Sequence, residues 1–252
     1  MSEHVRIDRA GGVLAITLAR PERRNAITVA MYDALASAIE GAAGDGSVRC
    51  ITLRGEGQDF AAGNDLADFL AAGTRDLEEI PVWRLLRALA QCEIPLIAAV
   101  HGNCVGIGTT ILLHCDLVVA DDSAKFSLPF VDLGLVPEAA SSLLFPELAG
   151  RRRASRYLLL GESFGPDEAL DIGLISHRAA TGTLETALDQ IVERLMAKPA
   201  EALAETQRLL RHGRRDQILD RMKLESDLFS KRLQSDEVRQ AITAFFAARV
   251  TR

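Results

Sequence analysis

The run from Pro95 to Ala120 limits the fold more than any other stretch of this chain. It is mostly apolar and long enough to suggest a membrane span. A spanning helix, however, needs about twenty apolar residues with few charges. This run carries His101, Asn103, His114 and Asp116, and three glycines, Gly102, Gly106 and Gly108. It reads instead as a strand (Leu96–Val100), a glycine turn, a buried helix from Gly106-Ile107-Gly108 to about His114, and a strand (Asp116–Ala120). The first strand is short and unalternating, as strands buried on both faces are.

The flanking sequence extends the same alternation. Val13–Leu18 is an apolar strand ended by Pro21. Thr28 is placed to cap a helix whose apolar positions Met31, Leu35, Ala38, Ile39 and Ala42 follow helical spacing. Val48–Leu53 is a strand, and Ile80–Cys92 is a helix with Pro81 in its first turn. After about Pro199 the strand signals stop, and Ala200–Leu210, Gln217–Leu233 and Asp236–Ala248 all carry helical patterns. The expectation is an α/β core over residues 1–197 and a C-terminal helical module over 198–252.

Charge and cysteine usage narrow the function classes. Lys+Arg number 29 against 35 Asp+Glu, so the chain is acidic and offers no general nucleic-acid or membrane surface. Cys50, Cys92, Cys104 and Cys115 lie in apolar runs without a CxxC pair, which points to buried free thiols. No histidine has metal-ligand spacing, so no metal is expected. His101, at a strand end, is expected to be satisfied by backbone. The start, Met1-Ser2-Glu3-His4, is no signal peptide and the end carries no targeting tag, so a cytoplasmic protein is expected.

Three segments are candidates for chemistry. Phe60-Ala61-Ala62-Gly63-Asn64-Asp65-Leu66 has small residues that let a ligand approach the backbone. It also reads as a turn with Asp65 capping a helix, and both readings stand. In His101–Gly108 the glycines open a helix whose first N–H groups are unpaired and suit a developing oxyanion. The same glycines also suit close packing. The third segment is Leu135-Val136-Pro137-Glu138-Ala139-Ala140-Ser141-Ser142. Glu138 is the only acid between Asp132 and Glu147. Apolar surroundings make a carboxyl hold its proton more tightly, which suits a general base near neutral pH. Alternatively Glu138 is a first-turn helix residue after Pro137. Ser141 and Ser142 lack a nucleophile-elbow setting.

In order and separation these segments resemble the crotonase superfamily, the enoyl-CoA hydratases and isomerases. The similarity starts at Leu18-Ala19-Arg20-Pro21-Glu22 with Asn25-Ala26-Ile27. It continues through FAAGNDL, IAAVHGNCVGIG and CDLVVADDSAKF, then DLGLVPEAASS, and reaches Gly173-Leu174-Ile175. The resemblance implies a spiral core of ββα units with a C-terminal helical module, and homotrimers or dimers of trimers. It implies acyl-CoA thioester substrates, with coenzyme A entering as part of the substrate and no separate cofactor. It also implies an oxyanion hole from the N–H groups of Asn64 and Ile107. Ala62, Gly63, Asn64, Asp65, Leu66, Gly106 and Ile107 would then line the substrate site. A typical member has Gly where this chain has Ile107, so the Ile107 side chain needs room.

Missing residues speak to the reaction. Hydratases of this superfamily use two glutamates, at positions matched here by Thr110 and Phe130. A double-bond shift needs no water and a single base. The segment Pro129-Phe130 to Phe145-Pro146 resembles the monofunctional peroxisomal-type 3,2-enoyl-CoA isomerases, whose glutamate in this segment is the base. The resemblance therefore implies Glu138 as catalytic base of a 3,2-enoyl-CoA isomerase. The rival readings are a hydratase acting on another acyl-CoA and a non-catalytic acyl-CoA-binding relic. By the same analogy Arg23 and Arg24 lie near the CoA phosphates; the apolar residues of the Leu66–Phe69–Leu70 stretch and of the Trp83 helix are candidates for lining the acyl pocket. Leu224, Leu228, Phe245 and Phe246 are expected at a subunit contact.

Overall fold

A β-hairpin that the sequence reading passed over opens the chain. Strand β1 (Val5–Ala10) turns through Gly11-Gly12 into β2 (Val13–Leu18), pairing Ala10 with Val13. Both glycines have positive φ, 57° and 82°, as the tight hairpin turns that match strand twist require. The structure is a computed structural model that describes residues 2–65, 68 and 81–250, the side chains of 245–250 excepted.

From β2 onward the main sheet is parallel. β3 (Cys50–Gly55), β4 (Leu96–Val100), β6 (Leu117–Asp121) and β8 (His177–Ala179) follow it, giving the order β1-β2-β3-β4-β6-β8. β4 is buried along its whole length. Its alternate residues serve two cores: Leu96, Ala98 and Val100 face one hydrophobic cluster, Ile97 and Ala99 the other. That two-sided burial explains the unalternating sequence.

Helices cover both faces. On the larger cluster lie α1 (Val29–Ala43) and α2 (Pro81–Gln91), packed on each other. Thr28 caps α1 as read, its Oγ1 accepting from the Met31 N–H at 3.3 Å. The other face is covered by α7 (Leu184–Met196) through Leu184, Leu188 and Ile191.

A second, two-stranded layer carries the functional segments. β5 (Asn103–Val105) pairs in parallel with β7 (Lys125–Ser127), and between them the chain forms α3 (Ile107–Leu112) and β6. Then follow α4 (Ser141–Ala149), α5 (Arg151–Leu160) and α6 (Pro166–Asp171). Phe145 of α4 packs on Tyr157 and Phe164 at ring-centroid distances of 6.0 and 6.3 Å, seating α4 against β7. The chain closes with α8 (Ala200–Arg211), α9 (Arg215–Leu233) and α10 (Asp236–Val250). Met222, Phe229, Val238 and Ile242 from these last helices belong to the larger core cluster.

Leu66, Phe69 and Leu70, and the side chains of Phe245 and Phe246, lie outside the described residues. No described helix is long and apolar enough to cross a membrane. The four cysteines are free; three are buried and Cys115 is half-buried. His101 meets the Gly57 carbonyl at 3.0 Å, the backbone partner expected of it.

Candidate active site

Two backbone amides come first, because strand pairing alone positions them. The Ala61 N–H donates to the Asn103 carbonyl at 3.0 Å, and the Val105 N–H donates to the Ala61 carbonyl at 2.9 Å. Residues 61–65 are thereby drawn alongside β5. On their other edge the Ile27 N–H donates to the Gly63 carbonyl, and the Asp65 N–H to the Ile27 carbonyl. This pairing uses the groups on either side of the Asn64 N–H, which has no acceptor among the described residues. Gly63 has φ of 90°, and a Cβ there would sit 3.2 Å from the Val105 carbonyl oxygen. Only glycine lets the two segments approach this closely.

Across that contact, Gly106 (φ 55°, ψ −118°) turns the chain into α3. Its carbonyl accepts from the Thr109 and Thr110 N–H groups. Ile107, the first helical residue, has no intrahelical acceptor for its own N–H. Its side chain has found the room it needs and is wholly buried in the core. Two unpaired donors on adjacent segments suit an oxygen that gains negative charge.

The side chains nearby have clear duties. Asp65 pairs with Arg20 at 2.7 Å and accepts from the Asp68 N–H at 3.2 Å. Its carboxylate is therefore committed to capping and anchoring. Arg23 and Arg24 are exposed. The Asn64 Oδ1 accepts a hydrogen bond from the Tyr32 hydroxyl. Tyr32 is buried, and burial, followed by the charge of Glu138, raises its pKa well above the ordinary value. The Tyr32 hydroxyl thus bonds the amide segment and also feels the charge of the candidate base.

Glu138 sits in a turn ahead of α4 rather than in a helical first turn, since α4 starts at Ser141. It is 8% exposed, and its Oε1 has no hydrogen-bond partner. Burial, then the nearby charge of Glu225, pushes its pKa up to about 8. The two residues that follow, Ala139 and Ala140, both have left-handed φ values, 62° and 56°. Such a backbone costs a non-glycine residue roughly 1–2 kcal/mol, so neighbours must hold it. His114 does so from below, its Nε2 donating to the Ala139 carbonyl at 2.9 Å. Burial lowers the His114 pKa to about 4, so the ring is neutral. Glu225 of α9 accepts from the Ala140 N–H at 2.6 Å and the Ser142 N–H at 2.9 Å.

Thr110 is fully buried, its hydroxyl 3.4 Å from the Ile107 carbonyl, and Phe130 is buried in the core. Neither supplies a second carboxylate. Glu225 is the acid nearest Glu138 in effect, but its oxygens are taken by backbone N–H groups. Among the described residues no cluster of His, Cys, Asp and Glu could hold a metal ion.

Sequence reasoning missed Tyr32, Glu225 and the role of His114. Two of the three left a signal. Tyr32 stands on the buried face of α1, where a tyrosine hydroxyl needs a partner. Glu225 lies with Met222 and Phe229 on the buried stripe of α9, where an acid is out of place unless it is bound.

Comparison with known proteins bears on the family of the whole chain. A family model described as enoyl-CoA hydratase/isomerase matches residues 8–251. The 1,2-epoxyphenylacetyl-CoA isomerase of Escherichia coli is 33% identical over 94% of this chain and 93% of its own. The 2,3-dehydroadipyl-CoA hydratase of the same organism is 34% identical, covering 99% and 97%. Enoyl-CoA delta isomerase 2 of Rattus norvegicus is 31% identical over 97% of this chain and 63% of its own. The crystal structure of an enoyl-CoA hydratase/isomerase from Pseudoalteromonas atlantica superposes with a TM-score of 0.93 at 35% identity, covering 98% of each chain. A family model matched over nearly the whole chain, relatives a third identical along nearly their full length and a close superposition together make this chain a member of the enoyl-CoA hydratase/isomerase family, with the crotonase fold.

Proposed function

We propose that this enzyme shifts the double bond of a 3-enoyl-CoA to give trans-2-enoyl-CoA, in fatty-acid degradation. The observation that carries the reading is Glu138: a buried carboxyl with one unpartnered oxygen, whose nearest acid in effect among the described residues, Glu225, is held by backbone N–H groups. In this reading the Glu138 carboxylate takes a proton from C2. The electron pair moves into the thioester, giving a dienolate. The Asn64 and Ile107 N–H groups hold its oxygen. Protonated Glu138 then returns the proton at C4, and the double bond settles between C2 and C3. No water is consumed and no group is lost. A pKa near 8 makes Glu138 a stronger base than an ordinary carboxylate.

Hydration is the weaker reading, because a carboxylate pair that holds and activates water has no counterpart at Thr110 and Phe130. The likeness to the rat delta isomerase is consistent with isomerisation but does not carry it, since the Escherichia coli hydratase is slightly more identical and is covered along nearly its whole length. A non-catalytic relic would gain nothing by burying an unpartnered acid at a cost in stability.

The assembly we propose is a homotrimer or a dimer of trimers, in the cytoplasm. Leu224 and Leu228 are 54% and 44% exposed on α9, as a subunit contact requires. The deciding assay compares a 3-enoyl-CoA and a 2-enoyl-CoA on the purified protein. Faster isomerisation than hydration is expected. Efficient hydration with negligible isomerisation overturns the reading.

A further inference from the structure

The turn that carries Glu138 is built by residues far along the chain. Helix α4 has no local cap: its N-cap residue is Ala140, which has no side chain able to accept a hydrogen bond. Helices usually solve this with Ser, Thr, Asp or Asn at that position. Here the Glu225 carboxylate does it, 85 residues away in sequence, at 2.6 Å from the Ala140 nitrogen. Arg221, one turn earlier on α9, donates to the Ser142 hydroxyl at 3.1 Å. Arg232 donates through Nε to the Gly134 carbonyl at 2.8 Å. Residues 221, 225 and 232 are spaced by four and seven, so they share one face of the helix. That face grips both ends of the segment 134–142, with Glu138 between the grips.

A cap alone would not need a charge in this place. Glu225 is 4% exposed; burial raises its own pKa, hydrogen bonds from Ser142 and Ala140 and the charge of Arg221 oppose that rise, and its charge raises the proton affinity of Glu138. The other titratable groups facing the turn are Tyr32 from α1, neutral His114 after α3, Arg211 from α8 beside His114, and Arg221 from α9. Of these, Tyr32 and His114 carry no charge at neutral pH, and Arg221 is the cation beside Glu225.

We propose that Glu225 is a positioning residue for Glu138: from α9 it fixes the turn that aims the base and sets a buried like charge beside it. It touches no reacting atom. The inference rests on the assignment of Glu138 as the base of the isomerase reaction. Glu225 acts in two ways that separate experimentally. Holding the turn governs kcat. The like charge governs the pH at which Glu138 loses its proton.

The test uses the full chain carrying 13C-labelled glutamate carboxyls, with the Glu138 signal assigned by its loss in E138Q. In E225Q the Glu138 titration midpoint should fall by about one pH unit. Turnover of a 3-enoyl-CoA should fall roughly ten- to hundredfold with KM little changed, and the acid limb of kcat/KM should move with the midpoint. E225D keeps the charge but draws it back by one methylene. Its midpoint should fall by less, and much of the turnover should return. If E225Q does not fold, E225D decides: a lowered midpoint at unchanged KM supports the proposal. A Glu138 midpoint unmoved in whichever variant folds overturns it, because a purely structural cap would lower activity without moving that titration. If the wild type fails to isomerise a 3-enoyl-CoA, the reaction proposed above falls, and the carboxyl titration still decides the role of Glu225.

Discussion

The amide side and the acid side of this site are built in opposite ways. The amides of Asn64 and Ile107 are held by neighbouring strands and by glycines that stand beside them in sequence. The acid is held by a strained pair of alanines, a neutral histidine and a carboxylate from a late helix. Backbone donors need only a path for the chain, and short motifs can encode a path. A shifted carboxyl needs an environment, which only distant residues can supply.

The sharpest way to break the acid side is Glu138→Gln. It keeps the size of the side chain and removes the base, so kcat and kcat/KM for a 3-enoyl-CoA should both fall about a hundredfold to ten-thousandfold. Exposed Asp132, in the 3₁₀ turn before Gly134, is the control, and Asp132→Asn should keep most activity. Wild-type kcat/KM should rise as pH passes about 8, where Glu138 becomes unprotonated. The same variant reads the stability cost. The native state holds this proton more tightly than the unfolded chain, whose carboxyl titrates at the ordinary value of 4.5. Between those two pH values the native state binds more protons, so its stability falls as pH rises. The Tm of Glu138→Gln relative to wild type should therefore climb between about pH 4.5 and about pH 8 and level off above. A flat difference in thermal melts would mean that Glu138 is not shifted in the folded protein.

The amide side should break next most severely, through Gly63→Ala. The added Cβ meets the Val105 carbonyl and sits on a backbone with φ of 90°. Displacing the Asn64 N–H should cost about a hundredfold in kcat, the usual value of one oxyanion donor. Near wild-type turnover would show that this amide does not touch the reacting oxygen.

Tyr32→Phe tests the link between the two sides with the smallest expected effect. It keeps the buried ring and removes the hydroxyl that bonds Asn64. One neutral hydrogen bond is worth about 0.5–1.5 kcal/mol, so turnover should fall roughly two- to tenfold. A steady-state assay showing a larger loss than Gly63→Ala would make Tyr32 a principal actor.

Much of the fold was legible because local rules and tertiary burial agree. The run at 96–100 had to be a two-sided strand, and β4 is one. Thr28 announced α1, and the three C-terminal helical patterns fall on α8, α9 and α10 within a few residues. The strand at 5–10 escaped because VRIDRA is largely polar on its open side. The Gly11-Gly12 turn signal that follows it was there to be read. Within the site, the glycines of 106–108 suggested a helix start with free N–H groups, and only the family resemblance singled out Asn64 and Ile107. Glu138 was visible only as a lone acid in apolar company. Its clamp was invisible, because nothing near residue 140 indicates that Glu225 caps it; that contact follows from how α9 lies against α4.

The clamp on the base also sets an order of events during synthesis. Glu225 follows Ala140 by 85 residues, and Arg232 follows Gly134 by 98. A ribosome adding about 5–20 residues per second completes the paired amides and the acid-bearing turn well before α9 leaves the exit tunnel. For on the order of ten seconds the nascent chain has the paired segments and the turn of Glu138 but not the helix that clamps that turn. A chain that ends before Arg221 would lack the clamp and also Met222, Phe229, Val238 and Ile242 of the larger core. The last eighth of the chain, residues 221–252, thus completes both the core and the turn that carries Glu138.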